Sequence, residues 1–337
     1  MRQNVVLKTV GAMTVVGAVL GLGGPANSRF VDAQSSRSGP PASFRLPDES
    51  PGLDGIVRTL IAAFDHADVL ALGEDHGQRR ESDLRIALVR HPDFAKKVRS
   101  ILVEFGSASQ QSTLDRYIRG EEVAVAQLEP VWKSVGWLKN APVSPIYPDF
   151  FAAVREVNSK LAAGDRIRVY GGDPGPQGEG KRDAFAVSIL KEQVLRNGGK
   201  ALVIYGAAHF YRTSGDVIGL GAGGGIVQRL EVDSPGRTFV VFSVGLPGGT
   251  PVAGSLDPDY RKFDRALKTQ ERPVLVSLLR PPFKDFTMEE FVGRKLLNCR
   301  GAGGCVSAFQ GSTLTLGQVA DACVYFAGNG AAASSEK

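Results

Sequence analysis

Histidine is scarce in this chain, with four among 337 residues, and cysteine is scarcer, with three. The cysteines all come late, at Cys299, Cys305 and Cys323, and their spacing makes no zinc framework. Neither a Gly-x-Ser-x-Gly elbow nor a His-Glu-x-x-His pair occurs, which argues against a serine hydrolase and a zincin. Despite a net charge of +5 there is no dense Lys/Arg run with interleaved aromatics, so nucleic acid is not an expected partner. Two glycine patterns also lack their context. Gly175-x4-Gly180-Lys181 continues with Arg182, where a phosphate loop needs Ser or Thr to hold magnesium. Gly219-x-Gly221-x-x-Gly224 precedes the strand-like run 226–230 (IVQRL), whereas a dinucleotide fingerprint needs a strand before it and a helix after.

What remains is an ordinary globular composition, 43% apolar and 22% charged, with ample material for a core. Arg2 and Lys8 form a short basic start, followed by a small, apolar stretch from Thr9 to Gly24. That stretch falls short of the roughly 20 residues that span a bilayer. Small residues beyond it supply a cleavage site, so residues 1–33 are expected to be a signal peptide and the protein to be exported, periplasmic or extracellular. An uncleaved anchor is the alternative. A Ser/Pro linker over 34–45, an α/β domain over 46–327 and a disordered tail over 328–337 complete the expected organisation. Cys299 and Cys305 either close a small disulfide loop or remain free thiols.

Within the domain, apolar runs at 68–72, 100–104, 166–170, 201–205 and 238–244 read as strands, too apolar for one wet face and hence buried and parallel. Helical patterns cover 79–90, 112–119, 147–162 and 181–196. The alternation predicts an α/β fold: a mixed, largely parallel sheet with helices on both faces. Residues 112–138 and 147–162 are expected to form a helical excursion over the strand ends.

Two of the four histidines close the same short motif. Gly73-Glu74-Asp75-His76 follows the run 69–72, and Gly206-Ala207-Ala208-His209 follows 201–205. Ligands of open α/β sheets bind beyond the carboxyl ends of the strands, so both imidazoles should converge on one site. Glycine before each turn allows a close backbone approach. Glu104 and Asp173 end two further strands, Arg212 lies just beyond the His209 turn, and Arg182 opens the following helix. A lone histidine is usually structural, but two His, two Glu and an Asp at successive strand ends point to a shared site. A neutral imidazole held by a carboxylate can take a proton from water, with an ordinary pKa of about 6.5 suited to the task. His76, His209 and Glu104 could instead bind a divalent metal that acidifies water. Arg182 or Arg212 would hold a substrate carboxylate or a developing oxyanion. The other two histidines, His66 and His91, are expected at the surface.

In their order, these motifs resemble the superfamily of erythromycin esterases, ChaN-type haem-uptake proteins and TraB/Tiki proteins. Leu72-Gly-Glu-Asp-His-Gly77 is similar to the esterases' opening turn, and Val103-Glu-Phe-Gly106 to the acidic strand that follows. Val154-Arg-Glu-Val-Asn158 with Val169-Tyr-Gly-Gly-Asp173 resembles their helix and Gly-x-Asp strand end. Arg182-Asp183 with Gly206-Ala-Ala-His209 resembles the ChaN and Tiki arrangement, and 316–328 the closing segment. For the esterase branch the resemblance implies hydrolysis of lactone esters, for Tiki relatives metal-dependent peptide cleavage, and for the ChaN branch haem binding. A single Asp75 between Glu74 and His76 departs from the esterase spacing, so macrolide specificity is not carried over. The expectation is a hydrolase of an ester, lactone or amide, with a small-molecule substrate. A haem or ligand carrier without turnover is the alternative.

Overall fold

The run 69–72 is apolar at both parities, so as a strand it needs cover on both faces. The structure, a computed structural model, describes residues 46–47, 49–136, 145–175, 178, 181–213, 224–245, 262–267, 270, 272–292, 297–299, 305–307, 309 and 311–326. The leader, linker and tail expected from the sequence, with glycines 219 and 221, lie outside these residues. The strands are β1 (Glu49–Pro51), β2 (Val69–Glu74), β3 (Ser100–Ser107), β4 (Arg168–Asp173) and β5 (Ala201–Gly206), then β6 (Thr238–Gly245), β7 (Val274–Ser277), β8 (Leu297–Cys299), β9 (Cys305–Ser307) and β10 (Ala322–Phe326). The first half of the chain carries helices α1 (Gly52–Ala63), α2 (Arg79–Arg90), α3 (Phe94–Lys97), α4 (Gln111–Arg119), α5 (Val125–Leu128), α6 (Pro130–Lys133) and α7 (Ile146–Asn158). The second half adds α8 (Arg182–Ile189), α9 (Ile226–Asp233), α10 (Lys262–Leu267), α11 (Met288–Val292) and α12 (Leu316–Val319). None of the described helices is long and apolar enough to cross a membrane.

Eight strands form one sheet in the order β1-β7-β10-β6-β2-β5-β3-β4. From β10 to β4 every pairing is parallel, while β7 runs antiparallel to both β10 and β1. The sheet is therefore mixed and largely parallel, as expected. Alternate residues split between two cores. Leu70, Leu72, Leu202 and Ile204 face one side, with Ile56, Leu88 and Phe150 of α1, α2 and α7. Val69, Ala71, Val203 and Tyr205 face the other, with Ala186, Val187 and Ile226 of α8 and α9. Each fully buried aliphatic or aromatic side chain contributes about 1.5–3 kcal/mol, so helices on both faces are what these strands require.

Between β3 and β4 the chain makes the helical excursion. Helix α7 buries Ile146, Tyr147, Phe150, Phe151 and Val154 along one stripe. Tyr147 stacks on Phe105 of β3 at 4.6 Å between ring centres, and Phe151 on Trp132 of α6 at 6.2 Å.

Two expected elements differ. The run 226–230 is helix α9 and not a strand. Ile226, Val227 and Leu230 are buried while Gln228 and Arg229 are only partly so, a one-sided helical pattern that the β-branched pair had obscured. A helix therefore does follow the glycine fingerprint, and among the described residues the strand before it, β5, ends at Gly206. The helix expected over 181–196 changes its winding after Ile189, passing through a π turn (Leu190–Val194) and a 3-10 turn (Leu195–Asn197), with Leu190 and Val194 buried. Cys299 and Cys305 stand opposite each other in the β8–β9 ladder, and their side chains lie outside what is described.

Candidate active site

The ladder between β2 and β5 runs to Glu74↔Gly206, and that between β5 and β3 stops at Val103↔Ile204. Just beyond, the carboxylate of Glu104 takes over as acceptor: its Oε2 receives the Gly206 N–H at 2.8 Å. Strands β2 and β5 thus end beside one buried glutamate of the adjacent parallel strand β3, which runs on to Ser107.

Both motif histidines address that carboxylate. His209 Nε2 stands 3.3 Å from Oε1, and His76 Nε2 stands 3.7 Å from Oε2. On its other side each ring is held by a carboxylate of its own. His76 Nδ1 lies 2.9 Å from Glu74 Oε1, and His209 Nδ1 lies 2.5 Å from Asp183 Oδ1. The second oxygen of Glu74 accepts from buried Arg85, whose guanidinium lies 5.0 Å from the centre of the Phe105 ring. Arg182 Nη1 donates to Glu104 Oε1 at 3.0 Å.

The motif glycines serve this convergence by staying small. A Cβ on Gly206 would stand 3.0 Å from His76 Nε2, and one on Gly73 would stand 2.9 Å from the Cα of Ala207. Each glycine clears the space that the other motif's turn occupies.

Burial by itself lowers a histidine pKa, yet the neighbouring carboxylates outweigh it at both rings. For His76 the hydrogen bond and charge of Glu74, then the charges of Glu104 and Asp75, leave it above 6.5. For His209 the hydrogen bonds to Asp183 and Glu104, with their charges, carry it to about 9. The reciprocal holds for Glu104. Burial pushes its carboxyl up, but His209, His76 and the Gly206 N–H bring it below the usual range.

Stability should record the His209 contacts. Against an ordinary value of 6.5, a folded-state pKa of about 9 contributes on the order of 3 kcal/mol to folding. Because the folded-state value is the higher one, the contribution is complete below pH 6.5 and is lost as pH rises through about 9. Urea melts at the two ends of that window should differ accordingly, and Asp183→Asn should shrink the difference. Equal stabilities at both ends in the parent protein would refute the ion-paired state of His209.

The remaining expected residues lie differently. Asp173, at the end of β4, accepts the N–H groups of Gly136 at 3.2 Å and Gly175 at 2.6 Å. It therefore ties the excursion to the strand end, and burial pushes its carboxyl up. Arg212 is not brought to the cluster. It is buried beside Asp321 at 2.5 Å and Glu231 at 3.0 Å and also donates to the Thr238 carbonyl, so its guanidinium is committed to holding β6 and β10 together. His66 and His91 sit on the turns after α1 and α2, half-exposed. Sequence reasoning missed the roles of Arg85 and Asp183. The available signals were the i, i+4 placement of Arg85 after Glu81 on a buried helix face, and an acidic residue in the first turn of α8.

The donor set does not fit a metal ion held by His76, His209 and Glu104. Among the described residues no group of three or more His, Cys, Asp and Glu can hold one. Glu104 already accepts from Arg182 and the Gly206 N–H and stands 3.3 Å from His209 Nε2, so its oxygens are engaged and the Arg182 guanidinium would stand beside any cation bound there. Both nitrogens of His209 face carboxylates, so that ring is already engaged within the cluster.

No family model matches the sequence, and no curated protein does. Solved structures do resemble the fold. An erythromycin esterase, EreC, in its open conformation is 12% identical, with a TM-score of 0.54 over 82% of this chain and 97% of its own. A succinoglycan biosynthesis protein is 10% identical, with a TM-score of 0.54 over 83% and 94%. A Bacillus cereus protein is 12% identical, with a TM-score of 0.51 over 87% and 93%. Such likeness at low identity speaks for the path of the chain and for nothing finer. The chain shares the fold of an erythromycin esterase.

Proposed function

We propose that this protein is an exported hydrolase of an ester, lactone or amide, working by paired histidine acid–base catalysis without a metal. One observation carries the reading: two imidazoles flank a single buried carboxylate, each fixed at Nδ1 by a second carboxylate. The two rings differ in a way that divides the work. His209 has carboxylates at both nitrogens, which favours the imidazolium and suits a general acid. His76 donates its Nδ1–H to Glu74, so in the neutral form Nε2 is the basic atom.

In the proposed reaction, His76 Nε2 takes a proton from water as the water oxygen attacks the substrate carbonyl carbon. Arg182, beside Glu104 and partly exposed, stabilises the oxyanion of the tetrahedral intermediate. His209 then protonates the departing oxygen or nitrogen as the carbon–heteroatom bond breaks. Proton exchange with solvent resets both rings. Export rests on the basic and then apolar start of the sequence.

The test is direct. The full-length protein is assayed against p-nitrophenyl butyrate, a medium-ring lactone and a p-nitroanilide, beside the Glu104→Gln variant. Turnover of at least one compound, reduced by roughly 10²-fold or more in the variant, is the expected result. Absence of turnover across the set, or turnover indifferent to the substitution, would overturn the hydrolase reading.

A further inference from the structure

Helix α2 meets the Glu74–His76 turn at two points. Arg85 reaches the carboxylate of Glu74. One helical turn earlier, on the same face, Glu81 Oε2 accepts the backbone N–H of Asp75 at 2.8 Å. Asp75 is the residue that joins Glu74 to His76, and β2 has ended just before it, at Glu74. The turn is completed at Gly77, with φ of +83°. The backbone between the two side chains is therefore held by a side chain from another element.

Glu81 is an expensive choice for that place. A glutamate in the first turn of a helix ordinarily faces water, where it favours the positive end of the helix dipole. This one is 4% exposed, and its second oxygen, Oε1, is buried with no partner among the described residues. Burial, then the charge of Glu74, pushes its carboxyl well above the usual range, with Asp75 adding to the rise and Arg85 opposing it. A leucine would fill the same volume without burying a polar group. What a leucine lacks is an acceptor for the Asp75 N–H.

We propose that Glu81 is a positioning residue for His76: by accepting the Asp75 N–H it fixes the turn that seats the imidazole on Glu74. The claim about position stands on this geometry, and its catalytic consequence rests on the hydrolase reading above. The required property is the acceptor oxygen, so Glu81→Gln should retain the function and Glu81→Leu should lose it.

NMR titration of the His76 imidazole in the full chain separates these variants without any substrate. The pKa of His76 should stay above 6.5 in the parent protein and in Glu81→Gln, and fall back toward 6.5 in Glu81→Leu. The titration of His209 near 9 should be unmoved in all three. Where turnover is found, Glu81→Leu should lower kcat on the order of 10²-fold, the scale of an ångström's misplacement, with KM little changed. Hydrogen exchange in the parent protein adds a measurement that survives any folding failure of the leucine variant: the Asp75 amide should be strongly protected. An Asp75 amide that exchanges like an exposed one would overturn the proposal. So would a His76 pKa unchanged by Glu81→Leu, or one already lost in Glu81→Gln. Failure of the hydrolase reading alone would leave the NMR results as stated.

Discussion

His76→Ala and His209→Ala should each lower kcat by about 10²–10⁴, and the double variant should be scarcely worse than either alone. The reason is the shared carboxylate. Glu104 stands between the rings, 3.3 Å from His209 Nε2 and 3.7 Å from His76 Nε2, so removing one imidazole leaves the other without a partner for the proton transfers of a single reaction cycle. Groups that act as a unit are strongly non-additive. Steady-state kinetics on whichever compound turns over provide the check, on variants shown by circular dichroism to be folded. Multiplicative losses in the double variant would mean two independent roles and would end the acid–base pairing. The pH profile of kcat/KM gives a second handle on the same variants. In the parent protein the rate should rise as His76 loses its proton, above 6.5, and fall as His209 loses its own near 9. His209→Ala should abolish the alkaline limb and keep the acid one.

Arg85→Met should cost about 3–5 kcal/mol in folding stability, the range for stripping one partner from a buried ion pair. Arg85 and Glu74 are both almost wholly buried, and Arg85 lies among the rings of Phe105, Tyr147 and Phe150. Methionine fills much of the same volume but leaves the Glu74 carboxylate without its cation. Adding Glu74→Gln should recover much of the loss, because the stranded charge is then gone while the amide can still accept from His76. Urea denaturation of the two single variants and the double one measures the coupling. Additive losses in this cycle would show that Arg85 matters for packing alone.

Much of this protein was legible in one dimension. The runs 69–72, 201–205 and 238–244 had to be buried strands, because no sheet with a wet face tolerates apolar residues at both parities. Parallel strands in an α/β order bring their carboxyl ends to one edge, so Glu74, His76, Glu104 and His209 were placed at that edge, and it was the order β2-β5-β3 that brought them side by side. Arg182 followed from its place at the start of the next helix. These are consequences of local pattern and topology.

Partners set by contacts between remote elements were not legible. Arg212, just past the β5 turn, was as much a candidate as Arg182, yet it pairs with Asp321, more than a hundred residues away, and is unavailable to substrate. Asp183 and Arg85 took on roles only when α8 and α2 packed beside the turns, since which carboxylate a ring nitrogen meets depends on helix rotation and depth. The run 226–230 shows the same limit at smaller scale: Ile and Val suit a strand, but one-sided burial made them a helix. The sequence alone determined which atoms could do acid–base chemistry and at which end of the sheet they would gather. Tertiary structure decided which of them hold protons, because charge neighbours and burial set the pKa of each ring, and both arise only from packing.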